Sequence, residues 1–450
     1  MLNHLKTEEH QRISESNLTD IFYSGIKSEE IVSQKNVGIE FEKLPVKNSD
    51  YRAVPYYDIA RFLQEYKKIF GISITENNAI LGIDGDIGTI TLEPGSQTEI
   101  SLNPISNLLQ AKKTLDNYNQ KTAMIAKKLG FCWLGCGIQP VSTYRTINII
   151  PKKRYVYMTK YLPAVAKKPL IMMRETAGIQ ASVDYLSEED AMKKFAFALK
   201  LSPIVSAMFS NSPIRNGRLT KFKSNRAASW LDTDNDRCGL VSAKVFSGEF
   251  SFEDYVQILL DVPMIFIERE INGIKTAIKI ENMTFRQFLK NGYESFYATE
   301  KDWENHLSLY FSDVRFKNYI EIRNHDSQRA DLICAVPALW KGLIYNSYAM
   351  SDINDILKKF TYFDIAYLRR KVPQVGLNIK IKNYKLYEIA KEIADIAYQS
   401  LKEFGLGEEI LLDELKTLLS KNLTPADIII NKWSDSKNNI SKFVEYSILK

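Results

Sequence analysis

Four stretches of this chain alternate polar and apolar residues with a period of two, the signature of strands that bury one face. In VGIEFEKL, Ile39 and Phe41 point one way and Glu40 and Glu42 the other. In TITLEPGSQTEISL, Pro94-Gly95-Ser96 supplies turn chemistry, and a three-residue loop sets Glu93 opposite Gln97. Glu99 then shares the face of Gln97. In GIQASVDY, Gln180, Ser182 and Asp184 oppose Ile179, Ala181 and Val183. In NYIEIRN, Tyr319, Glu321 and Arg323 oppose Ile320 and Ile322. AILGI and FCWLGCGIQPV also have strand texture.

A helical period governs the rest. Residues 106–130 predict an amphipathic helix stopped by Gly130, and 188–210 a helix with Pro203 as a kink or break. MTFRQFLKNGY and TEKDWENHLSLYF are helical, and so is almost everything from about 346 to 450. Residues 1–35 form a polar helical lead-in. The stretch SNSPIRNGRLTKFKSNRAASWLDTDNDRCGL is too polar for core and predicts a long functional loop. GIDGDIG predicts a loop as well. Strands flanked by helices, then a helical tail, make the fold class α+β. The expected organisation is a lead-in over 1–35, a domain of strands and helices over 36–345, and a helical C-terminal region over 346–450 packed on it.

Composition narrows the chemistry. Lys and Arg number 60 against 54 Asp and Glu, a net charge of +6, too mild and dispersed to mark a nucleic-acid binder. The one basic candidate, RNGRLTKFKSNR, lies in the long loop, where substrate is the better use for it. Four cysteines do not make a disulfide scaffold, so reduced thiols are expected. Glu8, Glu9, Glu15 and Asp20 argue against an organelle transit peptide, and no apolar run reaches membrane-spanning length. The expected compartment is cytoplasmic.

In a basic chain, the sheet face is nevertheless acidic: Glu40, Glu42, Glu93, Glu99 and Glu321. Clustered carboxylates repel one another unless a cation lies between them. Hard divalent ions take oxygen ligands, and magnesium typically joins a few carboxylates to substrate phosphates. The pattern therefore points to one concave sheet face holding Mg2+ for a nucleotide. Other catalytic classes are not signalled. There is no phosphate-binding G-x-x-x-x-G-K-[ST], no H-E-x-x-H among four scattered histidines, no C-x-x-C pair and no G-x-S-x-G elbow.

Several blocks together resemble the plant-type glutamate–cysteine ligases of plants and many bacteria. VGIEFEK is similar to the family's G-x-E-x-E-K strand, LEPGSQTEIS to its L-E-P-G-G-Q-x-E-L-S hairpin, and PKKRY to P-x-x-R-Y. SNRAASWLDTDNDRCGL resembles S-x-R…W-x-D-T-D-x-D-R-x-G, YIEIRNHD resembles Y-x-E-x-R-x-x-D, and CAVPALWKGLIY resembles C-A-x-P-A-x-W-x-G-L-x-Y. RRKVPQVGL and NLTPAD echo the helical C-terminus.

The resemblance implies a glutamine-synthetase-like carboxylate–amine ligase fold, with an antiparallel sheet forming a cup for Mg2+ and ATP. It implies the ligation of L-glutamate to L-cysteine with ATP, through a γ-glutamyl phosphate, as the first step of glutathione synthesis, by a monomer or homodimer. On the matching positions, Glu40, Glu42, Glu93, Glu99, Gln180 and Glu321 would be metal ligands. Arg323, beside Glu321, would stabilise the transferring phosphoryl group. Arg154 and Arg226 would hold the α-carboxylate of glutamate, with Trp230, Arg237, Gln97 and Thr176 completing the substrate set. Two departures, Glu175 for Arg and Ser182 for Asn, lie near the substrate end and bear on which amine is accepted. A γ-glutamyl ligase for another amine, and a non-catalytic ligand-binding relative, are the alternative functions. Cys132 and Cys136 are expected as buried thiols, with a regulatory disulfide as the alternative.

Overall fold

The computed structural model describes residues 12–271 and 274–450. Readings that rest on His4, Glu8, Glu9 and His10 lie outside the described residues.

The centre is a ten-stranded, antiparallel sheet. Its strands are β1 (Val37–Lys47), β2 (Gly71–Glu76), β3 (Ala79–Gly85), β4 (Gly88–Leu92), β5 (Thr98–Ile105), β6 (Phe131–Leu134), β7 (Gly178–Val183), β8 (Val314–Phe316), β9 (Ile320–Asp326) and β10 (Ile448–Leu449). The spatial order is β8-β9-β7-β1-β5-β4-β3-β2. The far half of the long β1 leaves this path and pairs with β6, which in turn pairs with β10.

One row of cross-strand neighbours runs Ile83, Ile90, Ile100, Phe41, Ile179. All five are fully buried. Helices α1 (Tyr56–Phe70) and α2 (Leu108–Lys128) cover this apolar side, with Phe62 of α1 edge-on to Trp133 of β6 at 5.0 Å. The opposite face carries the polar residues.

The hairpin at 93–97 forms as its turn residues dictate: Glu93 N donates to the Gln97 carbonyl at 2.9 Å, and Ser96 takes the left-handed turn position. GIDGDIG is not a free loop but the β3–β4 hairpin, closed by Asp86-Ile87. Helix α3 (Glu188–Met208) runs through Pro203 without a break.

The stretch 210–240 departs most from expectation. It holds a two-residue hairpin pairing Ile214–Arg215 with Arg218–Leu219, and the short helix α4 (Asn225–Trp230). Asn211, Ser212, Ser224, Arg226, Ser229, Thr233, Asp234 and Arg237 are all buried. It is polar interior, tolerated because its groups bond to one another.

The C-terminal helices lock onto the sheet layer. Lys341 and Glu408 are both fully buried and paired at 2.6 Å. Glu408 Oε1 also accepts the Leu108 N–H at the start of α2, at 2.6 Å. Gly342 lets the 335–344 helix touch the backbone of the 386–403 helix: a Cβ there would meet the Ala397 carbonyl at 2.6 Å. All four cysteines are free, and burial pushes the thiols of Cys132 and Cys136 up to about 11 and about 12.

Candidate active site

The register gathers the acidic side chains. Glu42 stands directly opposite Glu99, which stands opposite Thr91. Two residues back along β1, Glu40 stands between Ser101 on β5 and Gln180 on β7. The Glu42 carboxylate accepts the Gly178 N–H at 2.6 Å. Gln180 Nε2 donates to Glu99 Oε2 at 3.4 Å. Glu93 closes the row from the hairpin, with the Tyr155 hydroxyl 3.4 Å from each carboxylate oxygen.

Glu40, Glu42 and Glu99 are held where burial and neighbouring charge favour their protons. Burial, then Glu93, lifts Glu42 to about 7, against the pull of Arg226, Gly178 N–H and Arg323. Burial, then Glu40, Glu93 and Glu42, lifts Glu99 well above the carboxylate range. Burial and the charge of Glu321 raise Glu40. Among the described residues, no three carboxylate, histidine or cysteine side chains are gathered around one point as they stand. The face thus presents oxygen donors in mutually repelling proximity rather than a finished ligand cage.

Cations crowd the other end. Glu321 on β9 is fully buried, and although burial would raise it, Arg315, Arg323 and Lys317 outweigh that and hold it ionised. Arg323 Nη1 donates to Glu321 Oε2 and Gln180 Oε1, both at 2.6 Å. Arg226 lies flat on Gly178, where a Cβ would come within 2.5 Å of its Nη2. That Nη2 donates to the Arg323 carbonyl at 2.9 Å, and Nη1 is buried without a partner. Arg226, Trp230, Phe311, Asp313, Arg323 and Arg369 wall a small cavity at this end. A carboxylate facing a metal-compatible acidic row, beside arginines with an unspent donor, is what phosphoryl activation of an acid requires.

The comparisons with known proteins decide the family. The sequence pattern of Glutamate-cysteine ligase family 2 (GCS2) matches residues 36–445. The chain belongs to that family.

Its relatives include a chloroplastic glutamate–cysteine ligase of Arabidopsis thaliana, 34% identical over 415 residues, covering 91% of this chain and 78% of that protein. Glutamate–cysteine ligase A of Oryza sativa subsp. indica is 33% identical over 442 residues, covering 96% and 88%. A bifunctional glutathione synthetase from Pasteurella multocida shares the fold, with a TM-score of 0.50 at 12% identity, over 97% of this chain and 53% of that one. The family reaction joins L-glutamate and L-cysteine into γ-glutamylcysteine, the first step of glutathione biosynthesis. The plant relatives are named chloroplastic, which overturns the expectation of a cytoplasmic location.

Within the ligase, several residues expected to bind substrate have side chains engaged by internal partners. Gln97 is buried, and its side chain bridges Gly95 N–H at 2.7 Å and the carbonyls of Met173 and Thr176 at 3.1 and 2.8 Å. Thr176 Oγ1 is spent on the Met172 carbonyl at 2.7 Å. Arg237, 1% exposed, donates to Asp234 at 2.8 Å, to the Pro263 and Leu309 carbonyls and to the Tyr161 hydroxyl. The hydrogen bonds of these three side chains all run to other groups of the protein. Arg154 lies near Lys152 and Tyr155, where its charge opposes that of Glu93; its Nη2 is 3.4 Å from Ser308 Oγ, and its Nε is buried and unpartnered.

The Glu175 departure is neutralised inside the ligase. Its fully buried carboxylate receives Arg215 Nε at 2.5 Å and Nη2 at 2.7 Å, and the Tyr144 N–H at 2.7 Å. Ser182 stays on the sheet face, opposite Glu321 and Gly38.

Sequence reasoning missed Arg315, Lys317 and Asp326. The first two had a signal: VRFK alternates, and a hairpin turn at 317–319 sets Arg315 opposite Glu321. Asp326, pushed up by burial, accepts Asn211 N–H at 2.8 Å and the hydroxyls of Ser212 and Ser224 at 2.6 and 2.8 Å. Ser224 caps α4, the helix of Arg226. Asp326 thus pins the arginine's helix to the strand of Arg323.

Proposed function

We propose that this ligase activates the γ-carboxylate of L-glutamate with the terminal phosphate of ATP and then transfers the γ-glutamyl group to the amine of L-cysteine. The observation that carries the proposal is the single sheet face on which Glu40, Glu42, Glu99, Gln180 and Glu321 stand in register, with Arg323, in the irregular stretch of its strand, bonded to Glu321 and Gln180. The donor set fits magnesium: hard oxygens, those of Glu40, Glu42 and Glu99 raised in proton affinity by burial first and by neighbouring carboxylates second. Glu40, Glu42, Glu93 and Glu99, with Gln180 and Glu321, would hold it, and it would neutralise and align the polyphosphate.

The chain's own residues do the rest. Arg226, backed by Gly178 and anchored through Asp326, offers its spare donor to the substrate carboxylate. Arg323, fixed between Glu321 and Gln180, is placed to stabilise the charge that develops on the transferring phosphoryl group. Trp230 walls the cavity and excludes water. Arg154 belongs to the Glu93 side and would meet a different anionic group from the one Arg226 meets.

We further infer that residues 346–450 fold as part of the catalytic unit, supported by the Lys341–Glu408 pair and by β10 completing the sheet.

ADP release by the purified chain, measured with L-glutamate and a panel of amines, tests the proposal. Turnover that requires glutamate and prefers cysteine is expected. Turnover with no preference for cysteine would make it a γ-glutamyl ligase of another kind, and no turnover would leave only ligand binding.

A further inference from the structure

Arg323 springs from a break in the sheet. The ladder between β8 and β9 ends at Val314 and Ile322, and the pairing of β9 with β7 shifts register between Ile322 and His325. Arg323 falls in that gap, and its main chain is held from two sides. Its N–H donates to the Asp313 carbonyl at 3.0 Å, and its own carbonyl accepts Arg226 Nη2 at 2.9 Å. The tip of the side chain is fixed by Glu321 and Gln180. Its root must be fixed as well, because a displacement of about 1 Å at a reacting group can cost about 10²-fold in rate.

Both supports lead to one helix, Tyr362–Val375, in the helical C-terminal region. Its Arg369 grips Asp313 with a fork, Nε to Oδ2 at 2.8 Å and Nη2 to Oδ1 at 2.9 Å. Both side chains are largely buried, and a planar fork on a carboxylate fixes direction as well as distance. Ser202 of α3 braces the same place: its Oγ donates to Asp313 Oδ2 at 3.3 Å, and its carbonyl accepts Asn324 Nδ2. Pro373, on the same helix as Arg369, accepts the Ser224 N–H at 3.0 Å, and Ser224 caps the helix of Arg226. Arg369 also lines the cavity that Arg226 and Trp230 wall, so direct contact with substrate is the competing role.

We propose that Arg369 is a positioning residue for phosphoryl transfer: by clamping Asp313 it sets the main chain from which Arg323 reaches the reacting group. The inference rests on the reading of Arg323 as the group that stabilises the transferring phosphoryl. An ion pair that merely ties the C-terminal region to the sheet would change unfolding and leave the turnover of each folded molecule as it was.

The test is steady-state ADP release by the full-length protein, expressed per folded molecule. Arg369→Gln should lower kcat about tenfold while the glutamate KM changes by less than about twofold. Arg369→Lys, a cation without the fork, should recover part of that loss. Asp313→Asn keeps the carbonyl that Arg323 uses but weakens the clamp, and it should lower kcat in the same way; these two variants carry the test if Arg369→Gln does not fold. In an Arg323→Lys background, Arg369→Gln should cost less than about twofold more in kcat, because it acts through that arginine. Losses that multiply in the double variant, a raised glutamate KM at full kcat, or a kcat unchanged by all three clamp variants would overturn the positioning role and leave the role of Arg323 standing. A wild-type kcat for Arg323→Lys alone would remove the reading of Arg323 and this inference with it.

Discussion

Replacing Glu42 with Gln should make the metal-free ligase more stable at alkaline pH while abolishing its activity. The folded carboxyl titrates near 7, against 4.5 for an unperturbed glutamate. An acid whose folded pKa is raised binds more protons folded than unfolded between those values, so stability falls as pH rises through that window. Below it, Glu42 is protonated in both states and costs nothing. Above it, the shift amounts to about 3 kcal/mol, and nearer 1.5–2 kcal/mol after discounting for the solvent that reaches this half-buried group. Glutamine is isosteric, and its amide oxygen still accepts the Gly178 N–H, so the substitution removes the charge and little else.

The assay is urea unfolding in chelator at about pH 5 and about pH 8.5. The variant and wild type should coincide at the acid end, and the variant should lead by roughly 1.5–3 kcal/mol at the alkaline end. Adding Mg2+ with nucleotide should reverse the order, because only the wild type gains full binding energy. A variant destabilised equally at both pH values would refute the reasoning, since it would mean that Glu42 is a packing residue whose charge carries no penalty.

Other consequences are equally direct. Lys341→Met strands the buried Glu408 carboxylate and should cost about 3–5 kcal/mol in urea unfolding, most of it recovered by adding Glu408→Gln; equal losses in single and double variants would contradict the pairing. Glu175→Gln should cost roughly 2–4 kcal/mol in stability yet leave the ratio of rates for cysteine and other amines unchanged, whereas a shifted preference would mean that the residue touches the acceptor. Arg323→Lys should lower kcat by about 10²–10³ with little change in the glutamate KM, and a KM effect alone would move it to ground-state binding. Gly178→Ala pushes a methyl against the Arg226 guanidinium and should raise the glutamate KM by about tenfold, with a smaller effect on kcat.

What the sequence reveals of this site follows the physics of strands. Period-two alternation fixes which face a residue takes, so Glu40, Glu42, Glu99, Gln180 and Glu321 are all legible as a face without knowledge of their neighbours. Alternation does not say which strands adjoin, and the pairing of Glu42 with Glu99 and of Glu40 with Gln180 is a tertiary result. It also misleads where a charge is buried on the apolar side. Lys43 is fully buried there, its Nζ 2.5 Å from Thr122 Oγ1 and 3.8 Å from the Tyr118 ring centroid, with a pKa that burial depresses strongly. The 210–240 stretch misleads for a related reason. Polarity predicts exposure only when polar groups lack internal partners, and Asp326, far along the chain from that stretch, supplies them. Gln97 meets the same limit: its face is legible, but its amide turns back to tie the hairpin to the 169–175 helix.

The division of charge along the sheet explains why one face serves two opposite needs. Cations concentrate on β8 and β9 and on the helix of Arg226, while unneutralised carboxylates concentrate on β1, β5 and the 93–97 hairpin. Adjacent strands lie about 4.8 Å apart, so the passage from Arg323 on β9 across β7 and β1 to Glu99 on β5 spans roughly 14 Å. In the proposed reaction a triphosphate drawn between these poles would have its metal-binding oxygens toward the carboxylates and its terminal group toward Arg323. Were the two poles merged, each glutamate would give both oxygens to arginines, where Glu321 gives only Oε2, and none would remain for an ion. Gln180 keeps them apart. It accepts from Arg323 with its oxygen and donates to Glu99 with its nitrogen, a neutral spacer able to face both. A glutamate at 180 would add another carboxylate to the acidic row and draw Arg323 into a second ion pair, and a lysine would discharge Glu99. The amide is the side chain at that position that preserves the gradient, and Gln180→Glu should therefore lower kcat even though it adds a nominal metal ligand.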